Sequence, residues 1–185
     1  MPENPGLREF RNLLVPAGLP ELGPGPRDGV TPFEELNETL DELLEQSSVP
    51  AVSREAVRGL ILLWHDYLDE AHLIVQGIEN ADGSFIHGIM HRREPDYGNA
   101  AYWFRRVREH ASFPMLAKRV DGLLQADGEA VLKSKLIANG KWEPFAFIEF
   151  CELAAGKPDG DTEKELARKI QGLETEVLLE HFVSR

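Results

Sequence analysis

The chain has 185 residues, 42% of them hydrophobic, a mean hydropathy of −0.31 and a formal net charge of −12. That length suits one domain with a substantial core, and the charge argues against nucleic acid as a partner, because neutralising phosphates needs a basic surface. The most apolar stretch, residues 60–78, is interrupted by His65, Asp66, Asp69, Glu70 and His72, which excludes a membrane span there.

Residues 1–30 are rich in proline and glycine and predict an irregular arm, with at most a short amphipathic turn or two through Leu7, Phe10, Leu13, Leu14 and Val15. Thr31 as N-cap and Pro32 at the first position open a helix, with Glu34 and Glu35 at the positive end of its dipole. Phe33, Leu36, Leu40, Leu43 and Leu44 supply its apolar stripe. Ser53 is expected to cap a long helix reaching residues 76–78, with Val57, Leu60, Ile61, Trp64, Leu68, Ala71 and Val75 on one face. Its other sectors are apolar too, so it should be central.

Asn80, Ala81, Asp82 and Gly83 read as a turn, after which Ser84 caps a short helix over 85–92. Pro95 interrupts it, and Asp96 caps a segment over 97–110. Pro114 begins another helix, Asp127 and Gly128 break it, and a further one over 129–138 ends at Asn139 and Gly140. Pro144 starts an apolar helix, and Asp161 or Thr162 caps a last, leucine-rich one that offers a homodimer surface. Period-two alternation is absent. The expected fold is all-α: an arm over 1–30 and a single domain over 31–185 with six to eight helices.

The chemistry-bearing residues concentrate in 65–106. On the long predicted helix His65, Asp69, His72 and Gln76 share a sector about 60° wide beside the apolar face. Asp69 and His72 lie one turn apart, a spacing that helical bundles use for metals. His65 lies about 10 Å further along the axis, so it is expected as a separate catalytic acid–base group. His87 and His91 are two imidazoles at i, i+4. Helical zinc proteases carry glutamate directly after the first histidine; Gly88 stands there, so that motif is absent. If the turn folds the two helices together, Asp69, His72, His87 and His91 can hold Zn, Fe, Mn or Ni. A hydrogen-bonded core network of the same groups is the plainer alternative.

Glu94, at the corner before Pro95, is a candidate general base. Arg92, Arg93, Asn99 and Arg106 are candidate ligand-binding residues, since a basic island in an acidic chain suits a small anion. The single cysteine, Cys151, rules out an intramolecular disulfide and is expected to be a buried, inert thiol. With no basic segment followed by an apolar run near the N-terminus, the expected location is cytoplasmic.

The stretch H-D-Y-L-D-E-A-H followed by H-G-I-M-H-R-R-E-P-D-Y-G-N-A-A-Y-W-F-R-R-V, within residues 65–107, resembles a family of uncharacterised bacterial and fungal proteins. The resemblance implies a site in this stretch and brings no activity, substrate or residue role with it. The readings that follow are a metal-dependent enzyme acting on a small anionic substrate, a non-catalytic module binding such an anion, or an interaction protein with a hydrogen-bonded histidine core.

Overall fold

The structure, a computed structural model, describes residues 5–184. These residues form ten helices and one two-stranded hairpin, more helices than the six to eight expected, and the class is all-α. Among the described residues, no helix is long and apolar enough to cross a membrane.

The extra helices arise in two places. The first is the arm, where Pro5–Leu14 forms α1 and buries Leu7, Phe10 and Leu14. Beyond it the chain is irregular yet anchored, with Ala17 and Leu22 buried. Carbonyls that proline and glycine leave outside regular structure find side-chain donors instead. Trp64 Nε1 donates to Leu14 O at 2.9 Å, Arg168 Nη2 to Leu19 O at 2.8 Å and Gln171 Nε2 to Glu21 O at 3.0 Å. The arm is thus part of the core.

The second place is the long predicted helix. After α2 (Phe33–Gln46), which starts without the expected side-chain cap from Thr31, α3 runs over Ala51–Trp64 and α4 over Leu68–Val75. Between them Asp66 takes a left-handed φ of 67°, a conformation that glycine adopts routinely and asparagine and aspartate only occasionally. Its carboxylate compensates for this by accepting from Arg93 and from the Arg27 backbone N–H at 3.0 Å. Gly25 is required opposite it, because a Cβ there would stand 2.7 Å from Asp66 Cγ.

Next come α5 (Ala81–Arg93), α6 (Tyr97–Val107), α7 (Phe113–Ala126) and α8 (Ala130–Leu136). Asn139 and Gly140, at φ 52° and 76°, are not a helix end but the turn of a hairpin pairing β1 (Ile137–Ala138) with β2 (Lys141–Trp142). The last two helices are α9 (Pro144–Ala155) and α10 (Thr162–Val183).

The helix buried along its whole length is α5, packed on α3, α4 and α6, rather than the segment expected to be central. It starts earlier than the sequence predicts. Asn80 Oδ1 caps it by accepting the Gly83 N–H at 3.1 Å, which moves Asp82 from a turn into the first helical turn. At Gly88 a Cβ would lie 2.5 Å from the Phe104 ring, so glycine lets α6 approach.

Candidate metal centre and adjoining cleft

Six polar side chains project from buried positions on α5: Asp82, Ser84, His87, His91, Arg92 and Arg93. A buried charge must find a partner, and for the two arginines the partner is internal. Arg92 pairs with Glu174 on α10, reaches Gln171 Oε1 at 3.3 Å and lies over the Phe147 ring, 4.5 Å from its centroid. Arg93 pairs with Asp66 and donates to the carbonyls of Leu63 and Gly23. Both expected anion-binding arginines are therefore buried and paired with internal carboxylates, with Arg92 Nε left without a hydrogen-bond partner. Cys151 lies near Arg92, yet burial pushes its thiol up to about 12, as expected of an inert cysteine.

His65, expected as an acid–base group, is buried with both ring nitrogens bonded to backbone. Its Nδ1 accepts the Thr31 N–H at 3.1 Å and its Nε2 donates to Leu13 O at 2.8 Å, which ties the arm to the end of α3.

The helices do bring His72, His87 and His91 together. Their ring centroids are 5.3 Å (72 to 87), 5.7 Å (72 to 91) and 6.2 Å (87 to 91) apart. The two on α5 nevertheless have local ties. His87 donates from Nδ1 to Gly83 O at 2.9 Å and stacks on Trp103 at 4.0 Å, leaving Nε2 buried without a partner. His91 donates from Nδ1 to Glu94 at 2.7 Å, and Asn99 Nδ2 lies 3.3 Å from its Nε2. Glu94, expected as a general base, and Asn99, expected as a ligand-binding residue, therefore both contact His91. Asp69 is exposed, because the break at Asp66 resets the angle of α4. Arg106 is exposed and caps the stack, its guanidinium carbon 5.4 Å from the Trp103 ring centroid.

Among the described residues, the group of metal-ligating side chains whose donor atoms all lie within 4.8 Å of one another is a different one: Asp82, His110 and His181. Asp82 Oδ1 stands 2.9 Å from His110 Nε2 and 3.1 Å from His181 Nε2. Asp82 comes from the first turn of α5, His110 from the connection after α6 and His181 from the last turn of α10. Local backbone geometry brings His110 in: Arg108 ends α6 at a left-handed φ of 57°, and two residues later His110 is buried. Phe85, Phe113 and Phe182 pack against the two imidazoles, so the surroundings are apolar. A carboxylate with two imidazoles in such a setting could hold a metal ion. Without one, Ser112 orients the ring. Its backbone N–H lies 3.2 Å and its Oγ 2.6 Å from His110 Nδ1, so Nδ1 accepts and Nε2–H donates to Asp82.

His110 also lines a cleft of about 590 Å³ walled by Phe104, Phe113, Trp142 and Phe145, with Arg105 and Arg108 among its lining. A second hollow of about 560 Å³ lies across the end of α6 and shares Arg105 and Arg108 with the first. The basic island of the sequence therefore divides. Arg92 and Arg93 turn inward, while Arg105, Arg106 and Arg108 stay exposed.

No protein-family model, no curated protein and no solved structure matches the chain. The molecule's class therefore rests on its own geometry: an all-helical protein with a buried carboxylate–bis-imidazole group beside an apolar cleft. Sequence reasoning misses this group because its members have no diagnostic spacing, Asp82 lying 28 residues from His110 and 99 from His181. The one signal in the sequence is that these are the two histidines outside the 65–91 cluster.

Burial lowers the pKa of His65 and of His87 below the ordinary imidazole value, more than their backbone acceptors at Leu13 and Gly83 raise it. The folded protein then resists protonation that the unfolded chain accepts. Stability is full above the unfolded imidazole value and is lost as pH falls through it. Thermal melts should be flat above about pH 7 and drop below about pH 6.5. The drop should be shallower in His65→Gln and His87→Gln. An acid slope that neither substitution changes would show that other groups carry it.

Proposed function

We propose that the protein is a metal-dependent enzyme whose divalent transition ion is held by Asp82, His110 and His181, acting on a small anionic substrate in the adjoining cleft. The observation that supports this most is the convergence of these three donors from three distant elements, with His110 shared between the group and the cleft wall. Ligand atoms about 2 Å from a common ion and at right angles to each other lie about 3 Å apart, which matches the spacings of 2.9 and 3.1 Å. Two imidazoles and one carboxylate leave coordination positions open for water or substrate. An ion there would polarise a substrate oxygen or lower the pKa of a bound water. Asp82, His110 and His181 would hold the ion, and His110 could ligate through Nε2 only with its proton on Nδ1, where the Ser112 hydroxyl could accept it. The likeness of residues 65–107 to a family of uncharacterised bacterial and fungal proteins, which implies a site in that stretch, stays part of the proposal, with Asp82 the one member of the group that lies within it.

One observation favours a second reading. The Ser112 backbone N–H can only donate, and it points at His110 Nδ1. That contact suits a permanent hydrogen-bonded network, with the cleft serving a non-catalytic anion-binding module. Metal analysis of tag-free protein, refolded or dialysed with Zn, Fe, Mn or Ni, separates the two. Near-stoichiometric metal is expected in the wild type and in His87→Gln, and little in Asp82→Asn or His181→Gln. A chelator should lower Tm in the first pair only, since a ligand at 100 times its Kd adds about 2.7 kcal/mol. Metal below about a tenth of an equivalent, with no chelator effect on Tm, would leave the hydrogen-bonded network as the correct reading.

A further inference from the structure

The cleft beside His110 combines two properties that seldom coexist without a ligand. Its walls are four aromatic rings, Phe104, Phe113, Trp142 and Phe145, with Pro114 and Pro144. Its lining carries Arg105, Arg108 and Lys141 against Glu109 and Glu143, in a chain whose net charge is −12. Lys141 and Glu109 are both exposed and 3.8 Å apart. Arg105 and Arg108 have no carboxylate partner among the described residues, although acidic side chains outnumber basic ones 32 to 20. Arg105 lies instead over the Phe145 ring, its guanidinium carbon 5.9 Å from the centroid. Arg108 is held at the cleft edge by a left-handed backbone, φ 57°, that costs energy in any residue other than glycine.

From these features we propose that the cleft binds an aromatic carboxylate, with its ring against the aromatic walls and its carboxylate held by Arg105 and Arg108. This rests on the reading of the cleft as the substrate site and narrows the anionic substrate to a chemical class. An aromatic body is favoured over an alkyl chain because ring pairs gain beyond the area they bury. Pro114 of α7 and Pro144 of α9 each remove one N–H from the helix ends at the cleft, which lessens the backbone cradle a phosphate draws on. A guanidinium fork holds either anion, so the aromatic walls are what favour a carboxylate on a ring, and inorganic phosphate is the discriminating comparison. The volume of about 590 Å³ lies within the range of small-molecule pockets.

The test is a titration of the full-length protein with 2-naphthoate in the presence of a chelator, read by calorimetry and by tryptophan fluorescence, to which Trp142 contributes from the wall. Saturable one-to-one binding is expected. The neutral 2-naphthalenemethanol, octanoate and inorganic phosphate should each bind roughly ten-fold more weakly or worse. Arg105→Gln/Arg108→Gln should lose at least about ten-fold in affinity with an unchanged Tm, because both side chains are exposed. Raising salt should weaken the wild type more than the double variant. Failure of naphthoate to bind, equal binding of the neutral analogue, or wild-type affinity in the double variant would overturn the assignment. Metal content measured on the same preparation before the chelator is added keeps the two proposals apart. Naphthoate binding to metal-free protein that takes up no metal supports the cleft and removes the enzyme reading. Stoichiometric metal with no naphthoate binding does the reverse.

Discussion

Glu174→Ala is expected to destabilise the protein by about 3–5 kcal/mol, the usual cost of leaving a buried charge without its partner. The carboxylate and the Arg92 guanidinium are both about 1% exposed or less. Without Glu174, Arg92 keeps one amide contact at 3.3 Å to Gln171 and its position over Phe147. Water cannot reach it, so the charge is left in a medium of low polarisability. Measured against a total stability of about 5–15 kcal/mol, that loss would leave the variant marginal or unfolded. Urea denaturation with a check of the m-value would measure it. Replacing both partners, Arg92→Met with Glu174→Leu, should recover most of the stability, because an apolar pair of similar volume needs no solvation. A single Glu174→Ala variant within about 0.5 kcal/mol of wild type would mean that Arg92 is reached by water after all. Its expected ligand-binding role would then reopen.

The second large effect is expected at Asp66, which joins the arm to the body. Its carboxylate accepts from Arg93, 1% exposed, and from the backbone N–H of Arg27, with Arg27 Nε a further 3.4 Å away. Asp66→Ala should cost about 3–5 kcal/mol and expose the irregular segment between α1 and α2 to protease. Asp66→Gly separates the two contributions. It relieves the left-handed backbone, worth about 1 kcal/mol, yet still orphans Arg93. It should therefore remain strongly destabilised. Wild-type stability in Asp66→Gly, or an arm as protease-resistant in Asp66→Ala as in the parent, would refute the hub. Either result would also mean that the break between α3 and α4 has a cause other than the pairing of Asp66.

These two pairs explain why the basic island is legible in the sequence while its function is not. Arg92, Arg93, Arg105, Arg106 and Arg108 are close in sequence, and their charge alone predicts anion binding. What separates them is the burial of α5 against the exposure of the end of α6. The acids that neutralise Arg92 and Arg93 lie 82 and 27 residues away. Caps are readable because they are local. Asp96 accepts from the Asn99 N–H at 3.0 Å, and Asp161 accepts from the Glu163 N–H at 2.9 Å, both as expected. The Asn80 cap reads as part of a turn, since asparagine, aspartate and glycine serve both structures. That one ambiguity hides Asp82. The encounter of His72 with His87 and His91 follows from a turn between helices, which the sequence does signal. The ties of His87 and His91 to Gly83, Glu94 and Asn99 come from packing, and the outward setting of Asp69 depends on the break at Asp66.

Composition and periodicity by themselves determined the helical class, the caps at Asp96 and Asp161 and the approximate limits of several helices, because these follow from interactions between residues three or four apart. They also single out residues 65–106 as the stretch densest in histidine and arginine, which includes Asp82 but neither His110 nor His181. Only the tertiary structure decided which charges are enclosed and which donors meet. Asp82, His110 and His181 approach one another through the packing of α5, α10 and the turn at Arg108. A burial set by helix packing, and a partner set by chain reversal, leave no period in the sequence to read.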